Sequence, residues 1–354
     1  MPLHVGIDRD AHFAALPDEP VRVPAVLSTL MPHLAGRRNY VYRRAITLAL
    51  LASMIAAAFG ILPLALVLAA VALPTVLLTY IHDHAVWHRN PVTVFVVGFL
   101  LPLVLGVGIG LLQNFLGKGF LLSASRGNPL PLNQILQLGL IVPAVVFVAL
   151  LVVPLLVTSR PNFRHPIDAV VISALSGSAL SLGLSMVVQR GSFTRVDVTS
   201  GDAAHIAFIV LTLGVLQPII FATAAATVVT RLRRSGGRPA VGALQGVALV
   251  VCYELATAAL TPYGTRGIVL TAVLAFILAA AGLVAVRTEL HTGLLAEAGA
   301  ALSGGPPLAH PADVDQVCAH CGAAMAGGDA FCAACGTASA ALARYDRPAA
   351  AAAV

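Results

Sequence analysis

The chain is short of charge. Of its 354 residues only 10% are Asp, Glu, Lys or Arg, 6% are aromatic, and a single lysine, Lys118, stands beside twenty arginines. A soluble domain carries roughly 25% charged residues. With 58% hydrophobic residues and a mean hydropathy of +0.92, this composition excludes an ordinary water-facing surface. Residues 1–36 are polar with several prolines, so no cleavable signal peptide is expected. A net charge of +6 would suggest nucleic acid in a soluble protein. Here the preference of arginine for the cytosolic ends of membrane spans accounts for it. Acids are missing from the apolar runs too: Glu254 alone lies well inside one.

What is present is a series of apolar runs of about 20 residues, the length that crosses a bilayer. They fall near 45–59, 61–81, 93–116, 134–157, 168–189, 204–230, 240–261 and 267–287. The first two form a tight hairpin around Gly60 and Pro63. The expected fold is therefore all-α: a polytopic transmembrane bundle of about eight spans over 45–287, after a cytosolic segment 1–44. An even number of spans leaves both termini on one side. Placing that side in the cytosol puts sixteen basic residues inside and five outside (Lys118, Arg126, Arg190, Arg195 and Arg266). Restricting the test to residues near span ends drops Arg9, Arg22, Arg344 and Arg347 and leaves twelve against five. The expected location is the cell membrane, with the lipid bilayer as the first partner and both termini cytoplasmic.

Beyond the last run, residues 288–316 are rich in Ala, Gly and Pro and read as a flexible linker. Residues 317–338 then carry Cys318-x-x-Cys321 and Cys332-x-x-Cys335, each pair followed by glycine, Gly322 and Gly336. Two such knuckles make a tetrahedral thiolate cage, which suits Zn2+; iron uses the same knuckle. His320 is a conceivable ligand, but four thiolates already fill a tetrahedron. A closed cage leaves no position for substrate, so the ion is structural, and it must supply most of the folding free energy of so small a module. Val317 and Phe331 are its candidate apolar core. Residues 316–338 resemble the short zinc ribbon at the ends of many bacterial membrane proteins, and a cytosolic or membrane protein partner is expected to dock there. Few basic or aromatic residues surround it, so nucleic acid is not expected. The tail 339–354 ends in a Pro-Ala run and reads as disordered.

Polar residues in the runs are few. Ionisable groups in a bilayer are functional candidates by default, which singles out Glu254, read either as an ion or proton relay or as a hydrogen-bonded structural group. Asp168 and His205 stand at run ends and are expected to face the interface. Cys252 reads as a small buried apolar residue. Ser173, Gly177, Ser181 and Ser185 recur every fourth residue, a stripe on one helix face that reads as a packing seam or a substrate path. Gly106, Gly108, Gly110, Pro143 and Pro154 would loosen the third and fourth spans, as in a transporter. His82, His84 and His88 crowd the loop after the second run. His84 and His88 have the spacing of a helical zinc-protease motif, but Ala85 stands where the general base belongs.

Two stretches resemble the PrsW-type intramembrane proteases. One is Leu73-Pro-Thr-Val-Leu-Leu-Thr-Tyr-Ile-His-Asp83 running on to Asn90-Pro91, with Tyr80, Asp83 and Pro91 matching. The other is Phe163-Arg-His-Pro-Ile-Asp168 entering the serine-rich run. The resemblance covers roughly 60–290 and implies a family of membrane metalloproteases, but the family's acids and histidines are missing. Counting without gaps, its paired acids and basic residue fall on Val145, Val146 and Ala149, its Glu-Asn pair on Leu184 and Ser185, and its later histidines near Gln217-Pro218 and Tyr253-Glu254. The resemblance thus implies a proteolytically inactive relative: a membrane scaffold or regulator and not an enzyme. The alternatives are a small-solute or ion transporter using Glu254 and, residually, an active metalloprotease. Purified protein is expected to hold one zinc per chain by elemental analysis. Changing Cys318 and Cys332 to Ser should remove it completely; zinc persisting in that variant would place a second site in the bundle.

Overall fold

The computed structural model describes residues 24–32, 40–83, 96–117, 137–159, 166–188, 203–233, 239–260, 263–302, 316–317 and 324–325. Nine helices and one short antiparallel strand pair are found among them. A five-residue helix α1 (Val26–Leu30) precedes α2 (Tyr40–Ala58) and α3 (Leu62–Asp83). Helix α4 covers 96–117 and α5 covers 137–158, each opening with a π-helical turn, Val96–Leu100 and Gln137–Ile141. Helix α6 is Pro166–Val188. Helix α7 covers 203–233 and carries a π-helical turn, Thr212–Leu216, near its middle. Helices α8 (Pro239–Leu260) and α9 (Gly264–Leu302) complete the bundle.

Among the described residues, the eight helices α2–α9 are long and apolar enough to cross a membrane. Their outward faces carry Leu48, Val104, Phe115, Val148, Leu244 and Phe276, a surface that only lipid solvates without penalty. The protein is a multi-pass membrane protein, as the apolar runs imply. The hairpin between α2 and α3 turns at Gly60, whose φ of 74° lies in the left-handed region open to glycine. Ser53 of α2 donates to the Ala65 carbonyl of α3 at 2.7 Å and closes the pair.

The bundle is organised around α6. Of its span, 83% of residues are buried, against 22% for α2 and 28% for α4. Composition explains the difference. Ser, Gly and Ala along α6 give it a thin waist, so α3, α4, α5, α7 and α9 all reach it. Gly106 of α4 faces the Leu180 carbonyl and Gly183 of α6 faces the Leu103 carbonyl. A Cβ on either glycine would collide with backbone. Gly177 meets α7 in the same way, with a Cβ there falling 2.6 Å from the Ala222 nitrogen. Ser176 donates to the Gly98 carbonyl in the π-helical turn of α4 at 3.2 Å.

Several expectations change. Gly106 and Gly110 are contact points for α6, with backbone or Val187 beside them, and not loosened joints. Helix α5 runs unbroken through Pro154. The linker expected from residue 288 is helical to Leu302, because Ala and Leu favour helix strongly enough to extend the last span. In the 1–44 segment, Thr29, Leu30 and Met31 are fully buried, since α1 packs against α6 and α9. Cys252 is exposed on the outer face of α8; Val250, Tyr253 and Glu254 occupy its inner face. The surroundings are still apolar, but they are lipid.

The glycine contacts predict a clear asymmetry. Gly183→Leu should overpack the α4–α6 crossing and cost about 1–3 kcal/mol or more, read as a lower melting temperature in detergent. Gly108→Leu, where nothing lies within 4 Å of a Cβ, should melt as the wild type does.

Candidate functional site

Polar side chains from four helices meet at one point inside the apolar bundle. Helix α4 brings Gln113, α6 brings Ser185, α7 brings Gln217, and α8 brings Tyr253, Glu254 and Thr257. They line a cavity of about 30 Å³. Its apolar walls are Leu184, Val188 and Leu213. That volume holds about one water molecule. Gln217, Ser185, Tyr253, Glu254 and Thr257 are all at most 9% exposed, so each was desolvated on folding.

Local structure explains the convergence. Tyr253, Glu254 and Thr257 are one helical turn apart or less, which puts them on one face of α8. The Tyr253 hydroxyl donates toward the Gln217 Oε1 at 3.4 Å, and its ring packs edge-on to Phe221 with centroids 6.3 Å apart. Thr257 returns its hydroxyl to the Tyr253 carbonyl at 2.9 Å, a back-bond that spares it a distant partner. Ser185 Oγ has no hydrogen-bond partner among the described residues. The π-helical turn Thr212–Leu216 directly precedes Gln217. One extra residue in that turn shifts the face on which Gln217 emerges, and such turns are common at functional sites.

The cavity lies toward the ends at which α4, α6 and α8 finish. Glu254 is six residues, about 9 Å of helix, from the end of α8. A second polar cluster marks the opposite, arginine-rich end. Arg231 of α7 pairs with Glu289 of α9 and donates to Gln245 Oε1 of α8 at 3.2 Å. Arg287 of α9, 4% exposed, donates to Ser28 of α1 at 2.8 Å. This cluster ties three spans and the N-terminal helix together where they leave the bilayer.

Sequence reading anticipated Glu254 but not its company. Gln217, Tyr253 and Thr257 look like scattered polar residues in separate runs; only the crossing of α7 and α8 unites them. Ser173, Gly177, Ser181 and Ser185 are all buried, as a packing seam requires, and Ser185 also reaches the cavity. Asp168 corrects an expectation. It is fully buried in the first turn of α6 and does not face the interface, because α6 is enclosed along nearly its whole length. Tyr80 is fully buried and packs edge-on to Tyr42 at 6.3 Å. Of His205 only the helical backbone of α7 is described, and of His82 and Asp83 only that of α3.

His84, His88, Pro91, Cys318, Cys321, Cys332, Cys335, Phe331 and the tail 339–354 lie outside the described residues. The strands beside the first cysteine pair are described: β1 (Gln316–Val317) and β2 (Ala324–Met325) run antiparallel, with Val317 opposite Ala324. They bracket residues 318–323, which include Cys318, Cys321 and Gly322.

Compared with known proteins, the chain matches no family model, no curated protein and no solved structure. Its own chemistry carries the functional reading. The cavity offers one carboxyl, two amides and three hydroxyls, enough to hold a water, a proton or a small cation. Its described lining has neither a second carboxylate nor an imidazole to activate a metal-bound water.

The ion pair at the arginine-rich end gives a test of the frame around this site. Arg231→Ala removes a cation from beside the buried Glu289 and should lower the melting temperature. Arg231→Ala combined with Glu289→Leu should recover much of that loss.

Proposed function

We propose that the protein is a non-catalytic membrane scaffold or regulator of PrsW-like descent, whose cytosolic zinc ribbon docks a protein partner. The observation that carries this reading is the content of the cavity. Counted from the resemblance, the protease's Glu-Asn pair falls on Leu184 and Ser185, and its later histidines fall near Gln217-Pro218 and Tyr253-Glu254. Leu184, Ser185, Gln217, Tyr253 and Glu254 line the one cavity, whereas Val145, Val146 and Ala149, where the paired acids and the basic residue fall, are not among its described lining. A cavity furnished for hydrogen bonding and not for water activation supports the non-catalytic reading.

In this reading the arginine-rich end faces the cytosol of a bacterial cell, where thiols stay reduced and bind metal. Cys318, Cys321, Cys332 and Cys335 hold one structural Zn2+, and the β1–β2 pair flanking the first knuckle supports that assignment. The ion supplies folding free energy to the ribbon and no reaction step.

A second reading is favoured by one observation. The convergence of Gln113, Ser185, Gln217, Tyr253 and Thr257 on Glu254 gives a transporter the company of polar groups that sequence reading did not find around that residue.

Two measurements on the full chain separate these readings. Crosslinking in membranes should capture protein partners that disappear when Cys318 and Cys332 are changed to Ser; unchanged partners would sink the docking role. Proteoliposomes should show no proton or monovalent-cation flux. Flux present in the wild type and abolished by Glu254→Gln would establish the transporter instead.

A further inference from the structure

A larger space opens at the arginine-rich end. It is a crevice of about 390 Å³ between α1, α2, α3 and the π-helical turn of α7. Ligand sites occupy roughly 300–1,000 Å³, so this one is of ligand size. Its walls are aliphatic: Ile46 and Leu50 from α2, Ala72 and Leu73 from α3, and Val215 from α7. The floor is made by small residues, since Ala69 and Gly214 meet with no room between them for a further carbon. Among the described spans α2 is the least buried, so the apolar outer face of this wall is open to lipid.

The chemistry changes along the crevice. Leu50 lies seven residues, about 10 Å, along α2 from Arg43. Arg43 lines the outer part, in the first turn of α2. Ser28 lines the same part and accepts a hydrogen bond from Arg287. Arg43 is thus the guanidinium that lines the crevice, Arg287 stands buried behind Ser28, and no acid is among the described lining residues. An aliphatic slot with an exposed arginine at its interfacial end is complementary to one kind of molecule: a fatty chain carrying a negative headgroup.

We propose that this crevice binds an anionic phospholipid, with an acyl chain between α2 and α3 and the phosphate held by Arg43. The planar guanidinium suits a phosphate, which it can engage with two parallel hydrogen bonds. Basic pockets between spans select lipid headgroups through the same charge pairing. The site is separate from the polar cavity and does not depend on the proposed scaffold role. One structural element touches both: Gly214 and Val215 of the π-helical turn line the crevice, whereas Leu213 and Gln217 line the cavity.

The test is lipid retention by the full chain, extracted in mild detergent from membranes containing phosphatidylglycerol and phosphatidylcholine and read by native mass spectrometry. The wild type should keep one phosphatidylglycerol in preference to phosphatidylcholine. Arg43→Gln, an exposed substitution that leaves the fold alone, should lower that preference about fivefold. Leu50→Trp, which fills the slot, should remove both lipids. If Leu50→Trp also lowers the melting temperature, the Arg43→Gln result decides alone. Equal retention of the two lipids by the wild type, or a preference that Arg43→Gln leaves unchanged, overturns the proposal. Lipid-free protein, with Leu50→Cys crosslinking to the chain's own N-terminal residues or to a second copy, overturns it as well.

Discussion

Everything in this bundle depends on how closely backbones can approach α6. In lipid there is little hydrophobic gain from bringing helices together, so association relies on dispersion and on contact between main chains. Gly106 and Gly183 form a reciprocal crossing, each facing the other helix's carbonyl, and Gly177 provides a similar contact toward α7. These contacts place α4 and α7 on two sides of α6 at short range. The cavity exists because of that spacing: Gln113, Ser185 and Gln217 come from these three helices.

The central position of α6 also explains its unusual chemistry. Ser173, Ser176, Ser178, Ser181 and Ser185 would be costly on a lipid-facing helix, and they are all buried against protein. Ser176 and Ser178 donate to carbonyls. Ser185 turns toward polar neighbours at the cavity. The serines thus serve thinness first: Ser173, Ser181 and Ser185 have no hydrogen-bond partner among the described residues, whereas Ser178 returns its hydroxyl to its own helix. Elsewhere threonine follows the same rule: Thr223, Thr227 and Thr230 of α7 each return their hydroxyl to the carbonyl four residues back.

Much of the fold was legible from hydropathy. The runs near 168–189 and 240–261 correspond to α6 and α8 within a few residues, because an apolar stretch of bilayer length has few other structures open to it. The stripe Ser173-Gly177-Ser181-Ser185 identified the seam, since spacing of four is a local property of a helix. What escaped was whatever depends on the neighbour. Gly106 read as a weak joint because its partner, the Leu180 carbonyl, is 74 residues away. Asp168 read as interfacial because a run's end says nothing about what encloses it. Tyr253 and Gln217 were invisible as a pair until two crossing helices supplied the register. The π-helical turn that presents Gln217 has no sequence signal here that separates it from ordinary helix.

The last helix has a mechanical consequence. At 39 residues it is about 58 Å long, nearly twice the thickness of a bilayer's hydrocarbon core. A helix of that length continues past its apolar span, which ends at Gly293, and Glu289, held by Arg231, is the bearing near which it leaves the bundle. A load applied at residue 302 is not absorbed in slack chain. It acts as torque on that bearing, some thirteen residues or about 20 Å inboard, and a clamp on three helices feels it directly.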